Sequence, residues 1–314
     1  MTERHLANST HNQHIDKILL GIVGIFEIAF PERIRSYYIE GSFADSSEVA
    51  TSDIDLQIIF RGSFTGDEER AQAEELAGHC TALCSAELDI GIDDEESFKP
   101  GAWPTLKWGS LLVYGEDIRG GLTVLPLAQW ARDRMHSSYW RTVKLFDRPE
   151  VVTYPLGYPD PAGQFYGYDR RKIRLADGRE VNCTRDLIRL VGWSATGMIA
   201  FRAGRYVARK KDCHVVYQEC FDDEWGQLLQ DIYELCRGRW QYLIPDNEQE
   251  RELLRDICRR TLGFENYFLR VYKQFVMAEL RSGDEQAVNT ALWVLGHFEL
   301  RDEEVKRAVQ EVAG

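Results

Sequence analysis

Hydrophobic residues recur along this chain in two rhythms, and the rhythm changes near its middle. From about Asn12 to Phe30 the apolar positions are dense, and Pro31 follows, which predicts a buried helix stopped by the proline. Ile34–Ile39 is β-branched and aromatic, as a strand should be, and Gly41-Ser42 breaks it. Asp53–Phe60 (DIDLQIIF) reads as a second strand, Gly66–Ser85 as an amphipathic helix, and Glu87–Ile92 (ELDIGI) as a third, cleanly alternating strand. Leu127–Phe146 has a helical pattern. The stretch from Asp147 to Glu180 carries Pro149, Pro155, Pro159 and Pro161 among several glycines, the mark of a long loop or linker. From Val181 onward the pattern is helical almost throughout, with no further clear strand signal. The chain therefore reads as an N-terminal α/β unit followed by a helical half, with the boundary somewhere between residues 120 and 165.

Composition narrows the function. The 314 residues are 44% hydrophobic, ordinary for a folded protein, so disorder is excluded. Charge stands at −13, from 38 Lys+Arg against 51 Asp+Glu, and no long basic run appears. Such a surface repels phosphate backbones, so nucleic acid is not the expected partner; a small cationic ligand fits better. The apolar run Ile18–Phe30 contains Glu27 and falls short of the ~20 residues that a membrane span needs. It also lacks the basic leader and cleavage site of a signal peptide. The seven cysteines are scattered and form no CxxC pair, consistent with reduced thiols in a cytoplasmic protein. Cys80 and Cys84 beside His79 lack a second ligand pair, so core or near-core cysteines are the favoured reading over a zinc site.

The chemistry concentrates in Gly41-Ser42 and Asp53-Ile54-Asp55. Strand residues alternate faces, so Asp53 and Asp55 project together while Ile54, Leu56, Ile58 and Phe60 anchor the other side. Adjacent carboxylates repel, and a divalent cation is the usual remedy; hard oxygen donors favour Mg²⁺ or Mn²⁺. Glu87 and Asp89 share one face of the third strand, which beside the second would bring three or four carboxylates together. Three can hold two metal ions about 3.5–4 Å apart, the clamp used for in-line attack on phosphorus. Glycine after a strand lets the backbone approach a phosphate closely, with the Ser42 hydroxyl and the following amides as donors. The bland alternative, a solvated Asp-x-Asp turn, explains neither the glycine-serine nor the acidic third strand.

The stretch EGSFADSSEVATSDIDL resembles the signature of the nucleotidyltransferase superfamily that includes DNA polymerase beta. The resemblance implies an α+β protein: a nucleotidyltransferase domain with a mixed sheet over residues 1–150, then an all-helical substrate- and nucleotide-binding domain over 151–314. It implies Asp53, Asp55 and Asp89 as metal ligands and catalytic residues, Asp89 assisting deprotonation of the acceptor, with Glu87 competing for that role. Two Mg²⁺ ions and ATP or another NTP are the implied cofactor and co-substrate, with Gly41 and Ser42 at the triphosphate. Within the superfamily the chain is most similar to bacterial aminoglycoside adenylyltransferases of the streptomycin/spectinomycin type, proteins of antibiotic resistance. Two further stretches carry that similarity, LLVYGEDIR over Leu111–Arg119 and the long segment Arg185–Cys213. Lys210 stands where those enzymes often have Ser-Lys, although Arg209 replaces the serine, and it is the expected cationic contact for a phosphate. The bland alternative is a solvated basic turn of Arg209, Lys210 and Lys211.

The expected reaction moves a nucleoside monophosphate, AMP from ATP, onto a hydroxyl of a small, cationic acceptor. A protein acceptor, as in AMP-transferring antitoxins, and a non-catalytic nucleotide-binding protein are the alternatives. Glu180, Asp186, Trp108, Trp140 and Trp193 are the candidate acceptor contacts, with core packing favoured for Trp193, a structural role open for Trp108 and a helix-start role open for Asp186.

Overall fold

A computed structural model describes residues 5–175 and 178–313. The chain divides into two compact units, one running to Pro126 with Ala208–Lys210 added, the other holding Leu127–Val207 and everything from Lys211 onward. The helix that begins at Leu127 buries Met135, Tyr139 and Val143 in the core of the second unit.

In the first unit, helix α1 (Gln13–Ala29) starts where the Asn12 side chain accepts from the amides of His14 at 3.1 Å and Ile15 at 3.3 Å. Its buried residues Ile15, Leu19, Ile22, Val23 and Phe26 follow one helical stripe. Then come β1 (Ile34–Glu40), β2 (Ile54–Phe60), α2 (Asp67–Leu83), β3 (Leu88–Asp94), the short α3 (Pro104–Gly109) and β4 (Leu111–Gly115). The sheet order is β3-β2-β1-β4, with β2 and β3 parallel and β1 antiparallel to both β2 and β4, a mixed sheet. One face packs on α1 and α2 through Ile39, Ile54, Leu56, Ile58, Phe60 and Leu88. On the other, Tyr38, Ile59 and Leu112 meet Phe98, Ala102 and Leu106. Burying each such side chain is worth roughly 1.5–3 kcal/mol.

LLVYGEDIR forms β4 and a brace beyond it. The Tyr38 hydroxyl donates to Asp117 at 3.1 Å and accepts from the Ile118 amide at 2.8 Å, while Arg119 pairs with Asp117 at 2.7 Å. The guanidinium beside it holds the Asp117 carboxyl down to about 2.

The second unit is largely helical: α4 (Leu127–Lys144), β5 (Val151–Thr153), β6 (Lys172–Arg174), β7 (Glu180–Asn182), α5 (Arg185–Met198), α6 (Cys213–Cys220), α7 (Trp225–Asp231), α8 (Glu248–Leu280), α9 (Glu285–His297), β8 (Glu299–Arg301) and α10 (Glu303–Ala313). Turns of π-helix, Ile199–Ala203 and Ile232–Arg239, extend α5 and α7. The expectation of helix alone after residue 180 is corrected by β7, which pairs with β6, and β8, which pairs in parallel with β5. These three-residue strands are too short to show an alternating pattern of their own. At the core, Tyr139 stacks on Tyr272 with ring centres 4.1 Å apart. Arg148 grips the buried Glu265 through two contacts of 2.5 and 2.9 Å, and the Tyr168 hydroxyl donates to the same carboxylate. His136 Nδ1 lies 2.9 Å from the Tyr272 hydroxyl, and burial, with the charge of Arg132, pulls its pKa down to about 4. All seven cysteines are free. Among the described residues no helix is long and apolar enough to cross a membrane.

Candidate active site

Strand register assembles the acidic row. Glu40 on β1 pairs with Asp55 on β2, and Asp55 pairs with Asp89 on β3, so the three carboxylates stand side by side across three strands. Neighbouring strands lie about 4.8 Å apart, and directly paired residues point to the same face. It is the face opposite α1 and α2, because Ile39, Ile54, Leu56 and Leu88 are committed to the core beneath those helices. Asp53 immediately precedes β2, two residues from Asp55. A turn just before it fixes the approach: the Ser52 amide donates to the Val49 carbonyl, and the Val49 amide to the Ser52 hydroxyl, both at 2.9 Å. Glu87 lies outside β3, where its carbonyl accepts from the Ile54 amide at 2.8 Å. Asp53, Asp55 and Glu40 are partly buried, while Glu87 and Asp89 are exposed.

The chain leaves β1 through Gly41, whose φ of +67° belongs to the left-handed region. Space is the second constraint there, because the Asp55 carboxylate occupies the position that a Cβ would take. Gly41–Ala44 forms a single 3₁₀ turn pinned by the buried Phe43, and the Ser42 carbonyl accepts from the Ser47 amide at 3.0 Å. Glycine and the second aspartate of the motif are thus in contact, a link that spacing alone does not reveal. Behind the acidic row the Gln57 side chain lies over Gly91 and donates to Asp93 at 2.9 Å; burial raises the Asp93 carboxyl.

The backbone lines these acids up without gathering them round one point. Among the described residues, no three His, Cys, Asp or Glu side chains stand close enough to hold a metal ion. The donors are of the right kind for magnesium, hard oxygens on one face; their side chains must re-aim to converge on one.

Lys210 is exposed and opens the 3₁₀ turn Lys210–Asp212 that leads into α6. With Ala208 and Arg209 it belongs to the first unit, where the Ala208 carbonyl lies against Gly109 at the end of α3 and Arg209 donates to the Trp108 carbonyl at 3.4 Å. The remaining acceptor candidates separate clearly. Asp186 is buried and engaged by Arg171 at 2.9 Å. Trp193 lies between two guanidiniums, those of Arg134 and Arg141. Glu180 and Trp140 are exposed on β7 and α4.

Sequence reading missed Glu40. The signal was present, since Ser36, Tyr38 and Glu40 alternate onto one face, but its meaning depends on the register with Asp55.

No family model matches the chain, and no curated protein matches its sequence. Among solved structures, the chain is similar to spectinomycin adenyltransferase AAD(9) from Enterococcus faecialis, whose structure was determined with ATP and spectinomycin. The match is 13% identical with a TM-score of 0.45, covering 80% of this chain and 100% of that one.

Proposed function

We propose that this protein is a magnesium-dependent nucleotidyltransferase that moves a nucleoside monophosphate, AMP from ATP, onto a hydroxyl of a small cationic molecule of the aminoglycoside class. The observation that carries the reading is the in-register row Glu40, Asp55 and Asp89, with Asp55 packed against a left-handed glycine. Asp53, Asp55 and Asp89 would hold the metal, whose chemistry is to neutralise the triphosphate and its leaving group. Gly41 lets the main chain approach the phosphates, and Ser42 and Lys210 add a hydroxyl and a positive charge to hold them.

The acceptor oxygen forms its bond to the α-phosphorus as the bond to pyrophosphate breaks, and the hydroxyl proton passes to Asp89. That role suits Asp89 because it is the exposed member of the row. Glu87 is its competitor, two residues earlier and outside the strand. Rate acceleration then comes chiefly from positioning and electrostatics. The first unit is the catalytic one in this reading.

The test incubates the protein with Mg²⁺, each labelled NTP and a panel of aminoglycosides that begins with spectinomycin, and measures pyrophosphate release. Release that depends on one acceptor, disappears in Asp53→Ala and Asp89→Ala, and survives in Glu87→Ala is the expected result. No release with any pair would overturn the proposal, and full activity in Asp89→Ala would reassign the proton acceptor.

A further inference from the structure

Helix α1 carries two apolar stripes. The first, Ile15, Leu19, Ile22, Val23 and Phe26, belongs to the core that the helix forms with the sheet. The second runs through Ile18, Gly21, Ile25 and Ile28 on another side of the same helix, at spacings of three, four and three. Ile18 is half-buried, Ile25 is 47% exposed and Ile28 72%. Among the described residues, and outside the helix's own backbone, no atom stands within 4 Å of where a Cβ would sit on Gly21. Isolated apolar side chains on a surface are ordinary, whereas a row at the 3-4 spacing of a coiled-coil seam is a packing surface.

The stripe is complementary to itself. Ile18 and Ile28 are equally far from Val23 in sequence, and so are Gly21 and Ile25. In an antiparallel pair of such helices, with a two-fold axis beside Val23, each Ile28 meets the partner's Ile18. Each Ile25 then enters the space left open over the partner's Gly21, so a large side chain stands opposite the one position that has none. Charge obeys the same symmetry. His14 is exposed in the first turn of the helix and Glu32 is exposed in the turn beyond its end, each nine residues from Val23. The antiparallel register sets every His14 against the partner's Glu32 and opposes the two helix dipoles. The acids of the helix itself are already engaged, Asp16 by Ser9 and Thr10, Glu27 by the Tyr37 hydroxyl at 3.0 Å. A parallel pair would put Gly21 on Gly21, leave a gap there, and bring each charge to its like.

We propose that α1 is a dimerisation surface, its outer stripe packed antiparallel on α1 of a second copy of this chain. The seam is short, so the dimer is a weak one, with a dissociation constant of about 10–100 μM. It lies on the helix-covered side of the sheet, opposite the acidic row, and stands whether or not the chain transfers a nucleotide.

Sedimentation equilibrium of the full chain over about 2–500 μM tests it, and a monomer–dimer equilibrium is expected. Gly21→Leu fills the space that receives Ile25 and should weaken association about tenfold or more. That space is open in the single chain and leucine is the better helix former, so the thermal midpoint should not fall, which separates lost association from misfolding. His14→Glu should weaken association about threefold or more, and adding Glu32→Lys should restore it, because the antiparallel register alone joins the two positions. A chain that stays monomeric at the highest concentration, association unchanged in Gly21→Leu, or a charge swap without rescue would overturn the proposal. So would monomers that sediment with phosphatidylcholine–phosphatidylserine vesicles and lose that binding in Ile28→Asp, since the stripe would then lie on lipid.

Discussion

Asp55 and Glu265 are both acids placed by secondary structure, yet the two units treat them in opposite ways. Glu265 is 1% exposed, and its charge is answered on the spot by both arms of Arg148 and by the Tyr168 hydroxyl. Asp55 is only partly buried and stands between two further carboxylates in register, Glu40 and Asp89. A buried, doubly bonded ion pair serves the fold, and removing one partner strands a charge. A row of like charges set in register serves a site in the proposed reading rather than the core.

The largest expected effects test that contrast directly. Glu265→Gln should lower unfolding free energy by about 3–5 kcal/mol, because Arg148 is left buried without its counter-charge. Pyrophosphate release per folded molecule should be unchanged. Asp55→Asn should do the reverse: a loss of about 10³-fold in transfer with a denaturation midpoint equal to wild type or higher. Swapped outcomes would end the distinction.

His136 sharpens it within the second unit, as a buried group kept neutral. Its pKa falls from an ordinary 6.5 to about 4, so the unfolded chain takes up this proton at higher pH than the native chain. The stabilisation is complete above pH 6.5 and is lost as pH falls from there through about 4, roughly 3 kcal/mol in all. Urea unfolding across that window should show a steeper loss in the wild type than in His136→Gln.

Gly41→Ala comes next. The left-handed φ costs about 1 kcal/mol for a residue with a Cβ, while the displaced Asp55 should lower transfer about 100-fold. Loss of stability without loss of transfer would separate the turn from the site. The smallest effect is expected from Arg255→Ala, whose partners Glu248 and Glu252, at 2.8 and 2.6 Å, are exposed residues of the first turns of α8. Solvent screens such pairs, so no measurable change in midpoint is expected.

Much of the first unit is legible locally. Asn12 caps, Pro31 stops, and the alternation in DIDLQIIF and ELDIGI separates the core face from the acidic one. What local pattern lacks is partnership between distant segments. Val151–Thr153 is a strand because residues 299–301 lie beside it, some 150 positions later. Glu40 looks like the last residue of a strand until its register with Asp55 is known. Trp193 has the spacing of a core residue, and only the packed helices show an arginine on each of its faces. The aim of the carboxylates is likewise not written in their spacing, since alternation assigns a face and not a point of convergence.

The excursion of Ala208–Lys210 has a practical consequence for anyone dissecting this protein. The polypeptide passes between its two halves three times, after Pro126, after Val207 and after Lys210. Cutting after Pro126 would therefore deprive the N-terminal fragment of the segment whose carbonyl lies against Gly109. Neither half is a cassette that a single crossover could exchange. A chimera that respects the architecture has to transplant the tripeptide along with the first 126 residues.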